Sequence, residues 1–288
     1  MKIKKITFDS EQFPQNLANT PGGPKALYVL GADLDKLLSR PAVAIVGSRK
    51  VSAYGKAMTT QLAAELARAG VVVVSGLAIG VDGIAHRAAL EAGGLTIAVL
   101  PSGLDYIYPA SHYQLARQIL QQGGALVSEY PEGTKIAYKS NFVARSRIVS
   151  GISNAVLITE AAEKSGTLHT ADFALQQGIE VLAVPGNVTS PTSKGTNNLI
   201  KAGATLVTSV DDIFQALGME LSQQKSRAPR GDNPAEQTLL DLLFAGTQAG
   251  EELLEASKLN IREYNQTLTM LEIRGTIRPL GNNRWALK

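Results

Sequence analysis

Cysteine is absent from the 288 residues, which excludes disulfides, thiolate nucleophiles and cysteine-ligated zinc or iron–sulfur sites. No run approaches the roughly 18 uncharged apolar residues that a membrane span needs. The first residues, Met1–Lys5 followed by polar positions, carry no apolar signal core, so export is not expected. Charge of one sign is also scarce: 28 basic minus 25 acidic residues leaves +3, too little to announce a nucleic-acid partner by bulk charge.

Several chemistries are missing too. The segment Val46-Gly47-Ser48-Arg49 puts a bulky cation where a dinucleotide fingerprint needs its second glycine. Gly55-Lys56 is followed by Ala57 and lacks the upstream glycine of a phosphate-binding loop, and no G-x-S-x-G elbow occurs. His86, His112 and His169 stand apart without metal-ligand spacing and read as structural hydrogen-bonding residues. No cofactor, no metal and no catalysis are expected from these patterns.

What is present is a hydrophobic share of 44%, ordinary for a folded chain, and a repeating pattern. Apolar runs at Val43–Val46, Val71–Val74, Thr96–Leu100, Ala125–Ser128, Ala155–Thr159, Val181–Val184 and Thr205–Val207 read as strands. Between several of them lie helical patterns, Tyr54–Ala69, Asp82–Ala92, Ser111–Gln122 and Leu168–Gln177, each ended by a glycine, with Asp82 and Ser111 expected as N-caps. Buried strands alternating with helices predict a doubly wound, Rossmann-like α/β domain with a mostly parallel sheet. The expected divisions are an N-terminal extension packed on the main domain (1–42), the Rossmann-like domain (43–218), a polar linker (219–234) and a winged-helix domain (235–288). The last rests on three short helical patterns and a two-stranded ribbon around Gly281-Asn282-Asn283.

Two features carry chemistry. Gly47-Ser48-Arg49 follows a strand and precedes a helix, where backbone N–H groups, a hydroxyl and a guanidinium can hold a phosphate. Similar turns follow other strands, at Ser75–Gly80, Ser165-Gly166-Thr167 and Pro185-Gly186-Asn187. On one sheet edge they would form a row of anion-binding turns; singly, each reads rather as a simple tight turn. The second feature is Gly133–Thr159, with Lys135, Lys139, Arg145 and Arg147, no acid, and interleaved Tyr138 and Phe142. Cations track a phosphate backbone while aromatic faces stack on bases; a solvated basic loop with one core aromatic is the alternative. The segment 235–288 holds six basic and seven acidic residues, net −1, poor for gripping duplex DNA and as consistent with a protein contact.

Together these segments resemble the DNA processing protein A family, DprA or Smf, over nearly the whole chain. The resemblance is carried in order by Val46-Gly47-Ser48-Arg49 with Ser52 and Tyr54-Gly55, SGLAIGVD at 75–82, HRAAL at 86–90, GLDYIYPASH at 103–112 and SEYPEGT at 128–134. FVARSRIVSGIS at 142–153, TEAAEKSGTLHTA at 159–171, AVPGN at 183–187 and GTNNLIKAGA at 195–204 complete it. It implies a cytoplasmic, non-enzymatic homodimer that binds incoming single-stranded DNA in natural transformation, and double-stranded DNA more weakly. Such a protein protects the strand and helps load the RecA recombinase. By position, Arg49 and Lys139 would contact phosphate, Phe142 would stack on a base, and Ser48 with Ser165-Gly166-Thr167 would line the same pocket. Gly47, Arg145 and Arg147 complete the expected DNA-binding set. Two departures stand out: Arg145-Ser146-Arg147 replaces the family's usual Arg-Asn-Arg, and the N-terminal helical domain of many members has no counterpart here. Two other readings compete. One is a nucleoside monophosphate phosphoribohydrolase, for which Glu160 and Lys164-Ser165-Gly166-Thr167 lack the full P-G-G-x-G-T-x-x-E string. The other is a duplex-reading regulator, which the neutral tail disfavours.

Overall fold

The computed structural model describes residues 2–20, 22–136, 138, 140–219, 231–281 and 283–287, in two compact units, Met1–Glu220 and Leu221–Lys288. The first unit is built on a nine-stranded sheet. Its strands are β1 (Lys4–Thr7), β2 (Ala26–Gly31), β3 (Ala42–Val46), β4 (Val72–Ser75), β5 (Thr96–Val99), β6 (Ala125–Ser128), β7 (Ala155–Ile158), β8 (Glu180–Ala183) and β9 (Thr205–Leu206). In space they run β1-β2-β6-β5-β4-β3-β7-β8-β9. Pairing is parallel from β6 to β9 and antiparallel for β1–β2 and β2–β6. Residues 1–42 therefore do more than pack on the domain: they extend its sheet by two antiparallel strands, β2 against β6 and β1 at the edge.

The helices are α1 (Gln15–Ala18), α2 (Leu34–Leu38), α3 (Ala53–Arg68), α4 (Val81–Glu91), α5 (Tyr113–Gln121), α6 (Ser140–Gly151), α7 (Leu168–Gln176), α8 (Lys194–Lys201) and α9 (Val210–Ala216). They cover both faces, which is why the strands are unbroken apolar runs. In β3, Ala42, Ala44 and Val46 join a core with Ile148 and Val149 of α6 and Ala171 of α7. The alternate residues Val43 and Ile45 meet Leu62 and Leu66 of α3 and Ala85 of α4. The period of two places each side chain, and full burial of each Val, Leu or Ile contributes about 1.5–3 kcal/mol.

The glycines expected to end helices, Gly70, Gly93, Gly123 and Gly178, all adopt left-handed φ values, +69 to +84°. The two expected N-caps are corrected. Helix α4 is entered through Gly80, and Asp82 lies inside its first turn. Ser111 sits in a short 3-10 turn, Ala110–His112, ahead of α5. Helix α6 was not anticipated, because its buried face includes Asn141, Arg145 and Ser146, and polar residues there hide the helical period.

The second unit holds α10 (Pro234–Phe244), α11 (Gly250–Ser257) and α12 (Ile261–Ile273), followed by an antiparallel ribbon of β10 (Ile277–Gly281) and β11 (Arg284–Leu287). Leu239, Leu240, Leu253, Tyr264, Leu268 and Leu271 form its core. Asn233, inside the expected linker, caps α10 by accepting the Glu236 N–H at 2.9 Å, and Pro234 opens the helix. Of that linker, 220–230 lies outside the described residues.

One buried group makes stability pH-dependent. The Thr96 hydroxyl donates to Val73 O, so His86 Nδ1, 2.6 Å away, must be the donor to it. Among the described residues His86 Nε2 has no partner. Burial, then the positive charges of His112, Arg145 and Arg87, hold its pKa down to about 3 from the usual 6.5. Below about pH 6.5 the unfolded chain takes up a proton that the native fold refuses, so stability falls as pH falls, by at most about 1.4 kcal/mol per pH unit. Thermal melts between pH 7 and pH 5 should show the melting temperature dropping with pH, and His86→Asn should flatten that dependence.

Candidate functional site

The strand order reverses beside β3. From β3 the chain winds outward through β4, β5 and β6; it then returns to the other side of β3 with β7 and continues to β8 and β9. Loops leaving β3 and β7 at their carboxyl ends diverge, and in open α/β sheets this is where ligands bind. β3 runs into Gly47-Ser48-Arg49, and β7 into Glu160 and on to Ser165-Gly166-Thr167. Because β4, β3, β7 and β8 are parallel neighbours, the Ser75–Gly80 and Pro185-Gly186-Asn187 turns lie along the same edge.

The turns are tied together by specific bonds. Ser48 N–H donates to Glu160 O at 2.8 Å and the Thr167 hydroxyl donates to Gly47 O at 2.8 Å. Position 47 must be glycine, since a Cβ there would stand 2.7 Å from Val81 Cγ2 and 2.8 Å from Glu160 O. The Ser48 hydroxyl is used inside its own turn, donating to Lys50 O at 2.9 Å and accepting the Lys50 N–H at 3.1 Å. Glu160, only 2% exposed, accepts the Ser52 N–H at 3.1 Å and the Ser52 hydroxyl; Ser52 in turn caps α3 by accepting the Gly55 N–H. A carboxylate at a helix N-terminus is favoured by the helix dipole. It acts as a strut for the turn that carries Arg49.

Beside this turn is a small cavity of about 60 Å³, whose lining includes Arg49, Gly76, Tyr108, Phe142 and Arg145. The exposed Arg49 guanidinium lies over the half-buried Phe142 ring, 5.2 Å from its centroid. Tyr108 meets the same ring edge-on at 5.4 Å. Arg145 is 7% exposed and paired with Asp82 at 3.5 Å. A side chain at Gly76 would overlap the Arg145 guanidinium. Asp82 also accepts the N–H groups of Gly76 and Ala78. Burial pulls the Arg145 pKa below its ordinary value, against the opposing pull of Asp82.

Of the expected residues, then, the structure brings together Gly47, Ser48, Arg49, Phe142 and the Ser165-Gly166-Thr167 turn, with Arg145 forming the cavity floor. Arg147 does not join them. It makes a two-pronged pair with Glu129 at 2.9 and 2.7 Å, and its Nε donates to Gly22 O. Lys139 lies outside the described residues. Ser146, in place of the family's Asn, is buried with its hydroxyl on Phe142 O. Sequence reasoning missed Tyr108 and the bracing role of Glu160; the first is one aromatic in an irregular segment, and the second has no spacing signal. Among the described residues, no group of three or more His, Cys, Asp or Glu side chains is placed to hold a metal.

A family model described as DNA recombination-mediator protein A matches residues 4–218, and a DprA winged helix domain model matches 223–283. Protein Smf of Escherichia coli (strain K12) is 48% identical over 213 residues, 74% of this chain and 56% of that protein. The chain thus spans little more than half the length of that relative. The X-ray structure of DprA from Streptococcus pneumoniae superposes with a TM-score of 0.68 at 37% identity, covering 74% of each chain. A structure of DNA processing protein A from Helicobacter pylori, described for its unique single-stranded DNA binding mode, gives 0.66 at 34% identity, covering 75% of this chain and 95% of that one.

The burial of Arg145 and the exposure of Arg49 separate their roles. Arg145→Ala would leave Asp82 buried without its counter-charge, at a cost of about 3 kcal/mol, the lower end for a broken buried pair because two N–H bonds remain. Arg49→Ala should leave the fold untouched. Thermal melts of the two variants should differ sharply; an Arg145→Ala protein that melts like the wild type would return Arg145 to the set of solvent-facing contacts.

Proposed function

Since the chain belongs to the DNA recombination-mediator protein A family, we propose that it binds single-stranded DNA without base specificity, at the edge where β3 and β7 diverge. The observation that carries this reading is the pairing of an exposed cation with an aromatic face, Arg49 over Phe142, beside two tied turns at a strand-order reversal. Arg49 contacts a backbone phosphate, Phe142 receives a base, and Lys139 supplies a second phosphate contact. Parting Arg49 from Phe142 gives up a cation–π contact of about 0.5–1 kcal/mol at an exposed site. A charge-assisted hydrogen bond to phosphate returns about 1.5–3 kcal/mol and base stacking about 1–3 kcal/mol, so the exchange favours the complex. Duplex DNA binds more weakly, because its stacked and paired bases offer Phe142 no free face. What the Helicobacter pylori relative's description says of single-stranded DNA supports the same reading.

In this reading the protein is a non-enzymatic cytoplasmic homodimer that shields incoming single strands in transformation and recombination and helps load RecA. A nucleotide-hydrolysing role finds no support at Glu160, whose carboxylate is buried and engaged by Ser52.

Arg49→Ala and Lys139→Ala should each weaken oligonucleotide binding about ten- to a hundredfold and make the salt dependence shallower by about 0.7 in log–log slope. Phe142→Ala should weaken binding with the slope unchanged, since stacking releases no counterions. Anisotropy titrations at several salt concentrations, run beside thermal melts, read both effects. A Phe142→Ala protein that binds normally while folded but melts far earlier would make Phe142 a core residue.

A further inference from the structure

A second cleft, of about 540 Å³, lies farther along the same edge, and Ser52, Tyr54, Asn187, Ser190, Thr192 and Ser193 are among its lining residues. Its volume falls within the range of small-molecule sites, and among the described residues no charged side chain lines it. Most of its polar groups are already engaged. Ser52 serves Glu160 and Gly55, Ser190 and Thr192 bond each other at 2.9 Å, and the Tyr54 hydroxyl donates to Pro185 O at 2.7 Å, which fixes the ring at the wall.

Ser193 is different. It stands at the N-cap of α8, but its backbone is helical rather than extended (φ −103°, ψ −6°) and its side chain caps nothing. An N-cap serine ordinarily spends its oxygen on the first-turn N–H groups. Here the side chain is 6% exposed and lines the cleft, and among the described residues its hydroxyl has no hydrogen-bond partner. The next residue, Lys194, places a cation at the positive end of the α8 dipole, an unfavourable pairing that an anion would relieve.

We propose that this cleft is a nucleotide site, with a phosphate at the α8 N-terminus accepting from the Ser193 hydroxyl and a base against the Tyr54 ring. Ser52 is three residues beyond Arg49, so their backbones are at most about 11 Å apart. The phosphate belongs either to the next nucleotide of a strand held at Arg49, which rests on the proposed function, or to a free mononucleotide, which does not.

The test uses the full chain and two variants, Ser193→Ala, which removes the donor, and Thr192→Glu, which sets a carboxylate beside the expected phosphate. Each is titrated with a long oligothymidylate by anisotropy and with deoxyadenosine monophosphate by calorimetry, and thermal melts check that the fold is intact. Losing one hydrogen bond to a charged group should weaken binding about tenfold. A loss on the oligonucleotide identifies the occupant as the strand; a loss on the mononucleotide alone identifies it as a free nucleotide. If wild-type protein ignores the oligonucleotide, the single-strand reading fails and the mononucleotide titration still decides the cleft. Unchanged affinity for both ligands in both folded variants overturns the proposal.

Discussion

The reversal of strand order between β3 and β7 is the constraint on which the site depends. Crossover connections are right-handed, so a chain that winds first to one side of β3 and then to the other must send its loops apart at the carboxyl edge. The gap is then closed at its base by main-chain contacts. Val81 of α4 and the Glu160 carbonyl leave no room for a side chain at Gly47, while Thr167 and Ser48 bond across. With its backbone held this firmly, the turn presents Arg49 on a rigid mount, and little ordering entropy remains to be lost on binding.

Burial then sorts the cations. Arg145 and Arg147 are two residues apart on α6, so a helix of 3.6 residues per turn points them to different faces. Arg145 is buried and Arg147 partly buried, and each has an acid: Asp82 for Arg145, Glu129 for Arg147. An unpaired buried guanidinium would cost several kcal/mol, so these pairs are conditions of the fold. Arg49, by contrast, is exposed at the carboxyl edge of the sheet. Two of the cations in the segment Gly133–Thr159 are thus braces of the fold.

The second unit follows the same logic. Arg274 at the end of α12 pairs with Asp232 and Glu236, which leaves Arg262 to offset Glu263 on the helix that would enter a major groove. Helix α11 opens with Glu251 and Glu252. Duplex affinity rests largely on neutralising phosphates, and this unit has little charge to offer. That favours placing strand binding in the first unit.

Sequence determined the architecture here because its signals are local and periodic. Apolar runs separated by glycine-stopped helices specify a parallel sheet covered on both faces, and each run from Val43 onward became a strand. The Gly47-Ser48-Arg49 turn was legible for the same reason, being a short string whose chemistry is in its own residues. Tertiary structure alone decided which charged groups reach solvent. Whether Arg145 meets DNA or Asp82 depends on the orientation of α6 against the Gly76 turn, 69 residues earlier in the chain, and no spacing encodes it. Helix α6 itself is hidden in the sequence because its inward face mixes Ile148 and Val149 with Asn141, Arg145 and Ser146, and the partners of its polar residues are supplied only by the fold. Glu160 and Ser193 make the same point: one acid is consumed by a helix 108 residues away in sequence, and one hydroxyl is left unspent because a helix begins without using its cap. Pairing and desolvation are settled between distant segments, so they are properties of the assembled sheet edge.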